Sequence, residues 1–157
     1  MGFVEAIFGR LFGWAVDAIE SLIGKQRALR LRLDTRERVM MATLGPGGSM
    51  VMDYDGLIRI HNSGRDRLTV NRSGLVAKDG TTLVAFPPRP ETLEPGGKEL
   101  VASLGAGEIV SLAGDHGGLH KVFVEVAGEA KVRHYGIRDD WLPEVAAIAA
   151  KPLSKKF

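Results

Sequence analysis

The chain contains no cysteine. That single absence excludes disulfide staples, thiolate metal sites and thiol nucleophiles. Aromatic residues are scarce, at 6%, which argues against the stacking platforms of single-strand nucleic-acid binders. No charge of one sign dominates: 21 basic against 19 acidic side chains leave a formal net charge of +2. The protein is therefore neither a strongly basic nucleic-acid binder nor an acidic tail protein. An uncharged apolar run of membrane-spanning length is also missing. The one stretch long enough, near the amino end, is interrupted by Glu5, Arg10, Asp17 and Glu20. It has no basic leading region either, so a cleavable signal peptide is not expected. A cytoplasmic location, or one inside an assembled particle, follows as the expectation.

What the chain does have is turn chemistry. At 157 residues it fits one domain with short extensions, and its 20 glycines and 7 prolines suit a turn-rich β protein. The stretch Leu57–Val84 organises the rest. Leu57, Ile58 and Ile60 with Arg59 and His61 have roughly the two-residue period of a half-buried strand. Asn62-Ser63-Gly64-Arg65-Asp66 reads as a turn, because Asn and Gly tolerate positive φ and Asn, Ser and Asp side chains bond to nearby backbone. Leu68 and Val70 share the next face, Gly74 marks a bulge, and Asp79-Gly80 is a hairpin turn. Thr82 to Phe86 leave it as another strand.

Around this centre further elements follow in order. Leu29, Leu31 and Leu33 alternate with Arg30 and Arg32, and Val39–Leu44 is a second apolar strand. Gly45-Pro46-Gly47-Gly48 is a turn; a phosphate cradle would need a following Lys-Ser/Thr and a helix, and Ser49-Met50-Val51-Met52 is strand-like. Asp53-Tyr54-Asp55-Gly56 is read as a hairpin turn, since a calcium loop would need a later acidic ligand. The proline-rich run after Phe86 is an extended crossing between sheets. Lys98–Leu104 and Glu108–Leu112 are read as short strands, and Lys121–Val126 with Lys131–Ile137 as a hairpin about Gly128-Glu129. Asp139 and Asp140 before Trp141-Leu142-Pro143 start a short helix, and the closing Leu153–Phe157 is expected to fray.

The amino end carries the one long helical pattern. Val4, Ile7, Phe8, Leu11, Phe12, Ala15, Ile19 and Leu22 recur at three- and four-residue spacing, and Gly24 is placed to end the helix. Trp14 widens the apolar arc. Such a helix can cover its own domain, dock on a partner or another copy, or lie on a membrane surface. Arg27, Arg30 and Arg32 follow it as a basic strand that can support an acidic partner, phosphates or lipid headgroups.

Catalytic chemistry finds little footing. Asp115, His116 and His120 form D-H-x-x-x-H, which on a helix would aim both imidazoles at one metal, but Gly117-Gly118 stands between them. No serine sits in a G-x-S-x-G elbow. The carboxylate pairs Asp53/Asp55 and Asp139/Asp140 have local turn and capping explanations. No cofactor, metal or small-molecule substrate is identified, and no specific nucleic acid.

The run Ile58–Thr82, with its alternating strand into Asn62, the Arg67-Leu68-Thr69-Val70 that follows and the later Asp79-Gly80, resembles the B–C region of immunoglobulin-like β-sandwiches. Leu93-Glu94-Pro95-Gly96 resembles the loop before a further sandwich strand. The resemblance covers roughly residues 27–137 and lacks the disulfide and core tryptophan of antibody domains. It implies a generic interaction sandwich and carries over no binding residues.

The expected architecture is mainly β: an immunoglobulin-like antiparallel sandwich over 26–138, an amphipathic helix over 1–25, and a short helix and tail over 139–157. The expected function is a non-enzymatic structural or interaction module. It docks on a protein partner or on itself through Phe8, Leu11, Phe12, Trp14 and Ile19, supported by Arg27, Arg30 and Arg32, in an assembly such as a phage particle or envelope complex. The alternatives are a peripheral membrane protein using the same helix and basic strand, and a metal protein or hydrolase centred on Asp115, His116 and His120.

Overall fold

The computed structural model describes residues 26–156. The expected helix over 1–25, with Phe8, Leu11, Phe12, Trp14 and Ile19, lies outside the described residues. The elements are β1 (Leu29–Ala42), β2 (Ser49–Asn62), β3 (Leu68–Ala77), β4 (Thr82–Val84), β5 (Glu91–Leu93), β6 (Leu100–Gly105), α1 (Ala106–Asp115), β7 (Leu119–Val126), β8 (Arg133–Tyr135), α2 (Trp141–Ala149) and β9 (Ser154–Lys156).

They build two antiparallel sheets, consistent with a sandwich. One has the order β1-β2-β6, with β9 also pairing β2. The other has the order β4-β3-β7-β8, with β5 also pairing β3. The turn at Asn62–Asp66 carries the chain from the first sheet to the second. Asn62 is buried there, and its amide donates to Asp66 O at 2.7 Å and Leu93 O at 2.9 Å, while its side-chain oxygen accepts from Gly64 N at 3.0 Å. A buried amide with that many partners fixes the corner.

Alternation explains the core. Ile58 and Ile60 of β2, Leu68 and Val70 of β3, and Val122, Val124 and Val126 of β7 are buried in one shared cluster. The turn at Asp79-Gly80 is as expected: Gly80 has φ +92, and its N–H donates to Ala77 O at 3.0 Å. Gly128, with φ +81, turns the β7–β8 hairpin.

Four expectations are corrected. Glu108–Leu112 is not a strand but the middle of α1, which buries Ala106, Ile109 and Leu112, a spacing of three that puts all of them on one helical face. Asp53-Tyr54-Asp55-Gly56 is not a turn but lies inside β2. Gly56 is required there by packing: a Cβ would stand 2.4 Å from Ile109 Cδ1 and 2.9 Å from Trp141 Cζ2. Gly74 is not the bulge; the register of β3 against β7 shifts between Val70 and Arg72 and between Val76 and Ala77. Finally, Ser154–Lys156 does not fray but forms β9, with Lys156 opposite Ser49 and Lys155 opposite Met50.

The short C-terminal helix is present as α2, and it is part of the core. Trp141, Val145 and Ile148 are buried at four- and three-residue steps. The Trp141 indole donates to Asp34 O at 2.9 Å, and Arg138 donates to the neighbouring Leu33 O at 3.2 Å. Together they fasten α2 to β1. Among the described residues no helix is long and apolar enough to cross a membrane.

Candidate functional site

The longest elements, β1 and β2, pair from Leu29–Asn62 to Ala42–Met50. Fourteen residues of strand extend about 46 Å at ~3.3 Å per residue. Only the first part of this ribbon lies over the core. β1 is exposed from Glu37 to Ala42, so the far end of the ribbon stands out as an arm, flanked along β2 by β9.

A collar of charge marks the base of the arm. Arg36 donates to Asp55 at 2.8 Å and Arg38 to Asp53 at 2.8 Å, and Lys151 pairs with Glu37. Tyr54 donates its hydroxyl to Pro152 O at 2.7 Å, and Met52 N donates to Leu153 O at 2.7 Å, so the C-terminal segment braces the same base. The lattice continues down the outer face, with Arg59 3.2 Å from Asp34 and 3.4 Å from Glu99. Exposed pairs of this kind contribute little individually; their effect is to offset most of the charge on the part of that face nearest the arm.

Beyond the collar the character changes. Residues 39–52, VMMATLGPGGSMVM, contain no charged side chain and four of the five methionines of the chain. Val39 is 50% exposed, Met40 57%, Met41 66% and Leu44 95%. The register shows why the apolar surface goes all the way round. Val39 pairs with Met52 but Met41 with Val51, so Met40 is the extra residue of a bulge. Before the bulge the odd residues of β1 share the core-side face with the even residues of β2. After it Met41 joins Val51 on the opposite face, while Ala42 and Met50 stay on the core side. The turn is closed internally, with Gly48 N donating to Gly45 O at 3.0 Å and Thr43 N to Ser49 O at 2.9 Å.

The basic residues singled out in the sequence fall in different settings. Arg27 donates to Glu129 at 3.1 Å, and Arg133 grips the same carboxylate at 2.7 and 2.6 Å while donating to Arg27 O at 2.8 Å. The Arg133 bond, with Arg27 behind it, holds the Glu129 carboxyl below its ordinary range. This cluster ties the start of β1 to the β7–β8 turn across the two sheets. Arg30 and Arg32 lie on the outer face of β1, both exposed, Arg32 standing 3.7 Å from Glu99.

Asp115, His116 and His120 are not gathered. α1 ends at Asp115, Gly117 and Gly118 take φ +79 and +108, and His120 belongs to β7. Asp115 and His116 border an open groove of about 640 Å³ with Glu108 and Ser111, whereas His120 borders another hollow beside Lys78 and Arg138. Among the described residues no three acidic or histidine side chains form a group able to hold a metal.

His116 has a different partner. Its Nδ1 stands 2.7 Å from Asp79 Oδ2, and Thr81 N donates to Asp79 Oδ1 at 2.9 Å. An ionised carboxylate only accepts, so Nδ1 carries the proton. The Thr81 N–H and hydroxyl, then His116, hold the Asp79 carboxyl down at about 2. A depressed carboxyl contributes stability above its unfolded value of 3.8 and loses it as pH falls to about 2. Asp79→Asn should therefore lower the melting temperature near neutrality, and the gap from the parent should close as the pH is taken down to about 2. A gap of constant size over that range would contradict the assignment.

No family model, no curated protein and no solved structure matches this chain. What it can do is therefore read from its own surface, and the uncharged arm is the feature of that surface that the core does not explain.

Proposed function

We propose that this chain is a non-enzymatic structural or interaction module. A rigid two-sheet body docks on a protein partner, or on further copies of itself, within a larger assembly such as a phage particle or a cell-envelope complex. One observation carries the proposal: past the Arg38–Asp53 pair the arm holds Val39, Met40, Met41, Leu44 and Val51 in solvent with no charge among them. Removing apolar surface from water is worth about 25 cal/mol per Å², and contiguous exposed apolar patches mark interaction sites. Methionine suits such a surface, because its unbranched thioether adapts to varied partners.

The amphipathic pattern with Phe8, Leu11, Phe12, Trp14 and Ile19 supplies a second apolar element of the same kind, and Arg30 and Arg32 a charged flank. The body is proposed to be immunoglobulin-like in kind. The antiparallel two-sheet plan, its shared core and its glycine turns support this, with α1 and α2 as additions that cover one end of the core.

The test is the solution mass of the intact chain by light scattering, beside that of the double variant M41D/L44D. Both substituted side chains are exposed, so the variant should keep the parental melting temperature. The intact chain is expected above the mass of one copy and the variant at the mass of one. Equal masses for the two would remove the arm from the assembly.

A further inference from the structure

We propose that the tip of the β1–β2 arm is an interfacial anchor that enters the headgroup layer of an anionic lipid surface. The proposal rests on the arm being a docking element and adds to its protein contact a lipid surface that the same tip takes. Three observations carry it.

The first is that both faces of the tip ribbon carry apolar side chains. A ribbon lying on a protein face needs one apolar face, the other staying polar in water. Here Met41 and Val51 lie on one face, Val39, Met52, Ala42 and Met50 on the other, and Leu44 leads at the turn. An element without a polar face fits surroundings that are apolar all round.

The second is size. Four residues per strand extend from the collar to the turn, about 13 Å at ~3.3 Å each. That is enough to reach the roughly 5–10 Å to which interfacial segments sink at the boundary of headgroups and acyl chains while the collar stays outside. The arm cannot go deeper. The edge of β2 is paired with β9, but the outer edge of β1 carries backbone groups that water or headgroups must satisfy, so the arm is suited to the interface and not to the hydrocarbon interior.

The third is charge. The nearest acids, Glu37, Asp53 and Asp55, are paired with Lys151, Arg38 and Arg36. Lys155 and Lys156 of β9 stand in register beside Met50 and Ser49, at the flank of the uncharged tip. An apolar wedge with its acids neutralised, and with two lysines in register on the neighbouring strand, suits anionic headgroups, which attract basic residues near the surface.

The experiment is sedimentation of the full chain with phosphatidylcholine vesicles, with and without phosphatidylserine. The chain should sediment with the phosphatidylserine vesicles at ~0.1 M salt and be released at ~1 M, where the screening length falls from about 10 to about 3 Å. M41D/L44D should bind at least about tenfold more weakly, and K155Q/K156Q should lose the preference for phosphatidylserine. L11D/F12D, which alters the amino-terminal segment alone, should retain the arm's contribution. Failure of the intact chain to sediment at either salt would overturn the proposal, as would equal binding by M41D/L44D. A drop in solution mass in M41D/L44D with no vesicle binding would give the arm a protein partner, overturning the lipid assignment while the docking function stands. Vesicle binding by a chain of single-copy mass would do the reverse.

Discussion

Trp141→Ala is expected to lower the unfolding free energy by about 3–5 kcal/mol, the usual cost of removing a large buried aromatic. Trp141 has no exposed surface, and its ring packs over Gly56 while its indole N–H reaches Asp34 O. Truncation empties that volume and leaves a carbonyl of β1 without this donor. Against a typical total of about 5–15 kcal/mol, the loss takes away a large part of the stability. Trp141→Phe separates the two effects. It keeps most of the volume and loses only the hydrogen bond, for about 1–3 kcal/mol. Denaturant unfolding of both variants gives the answer. An alanine variant no less stable than the phenylalanine variant would mean that α2 is not part of the core.

Gly56→Ala is the complementary case, in which an atom is added. Overpacking of this sort typically costs about 1–3 kcal/mol, and here the new methyl would fall 2.4 Å from Ile109 Cδ1 and 2.9 Å from Trp141 Cζ2. The closer obstacle is the end of one flexible side chain. Ile109→Val deletes that Cδ1, so it should recover part of the loss, and the pair should be measurably non-additive. Strictly additive destabilisation in denaturant titrations would show that α1 does not press on β2 at this point.

These two sites also show where sequence reasoning stopped. Turns were legible wherever a glycine needs positive φ, as at Gly80 and Gly128, because that requirement is local. Strands were legible where one face is buried, as at Val122, Val124 and Val126. Gly56 misled, since its glycine is demanded by Ile109 and Trp141, far away in the chain, and nothing in Asp-Tyr-Asp-Gly distinguishes that from a turn. Glu108–Leu112 misled because a short apolar run with β-branched residues fits either period. The tail misled because pairing with Ser49–Val51 depends on where α2 delivers the chain.

The arm was half legible. Two apolar strands about Gly45-Pro46-Gly47-Gly48 are plain in the sequence, and the structure pairs them, with Val39–Ala42 not a strand of its own but the end of β1. Their standing outside the core is not plain, because exposure is decided by which elements cover a strand. The stretch of uncharged residues from Val39 to Met52, closed off by Arg38 and Asp53, is the one signal that could have drawn attention to it. The amino-terminal pattern with Phe8 to Ile19 lies outside the described residues, and Arg27 is engaged in joining the two sheets.

On the proposed function the side chains of the arm are exposed in the isolated chain and covered when the protein docks. Peroxide oxidation followed by mass spectrometry reads this methionine by methionine, since thioether oxidation follows access. In the free chain Met40 and Met41 should oxidise well ahead of the half-buried Met50 and Met52, and phosphatidylserine vesicles should slow Met40 and Met41 selectively. Oxidation of Met41 no faster than that of Met52 in the free chain, or unchanged by vesicles and by self-assembly alike, would contradict the account.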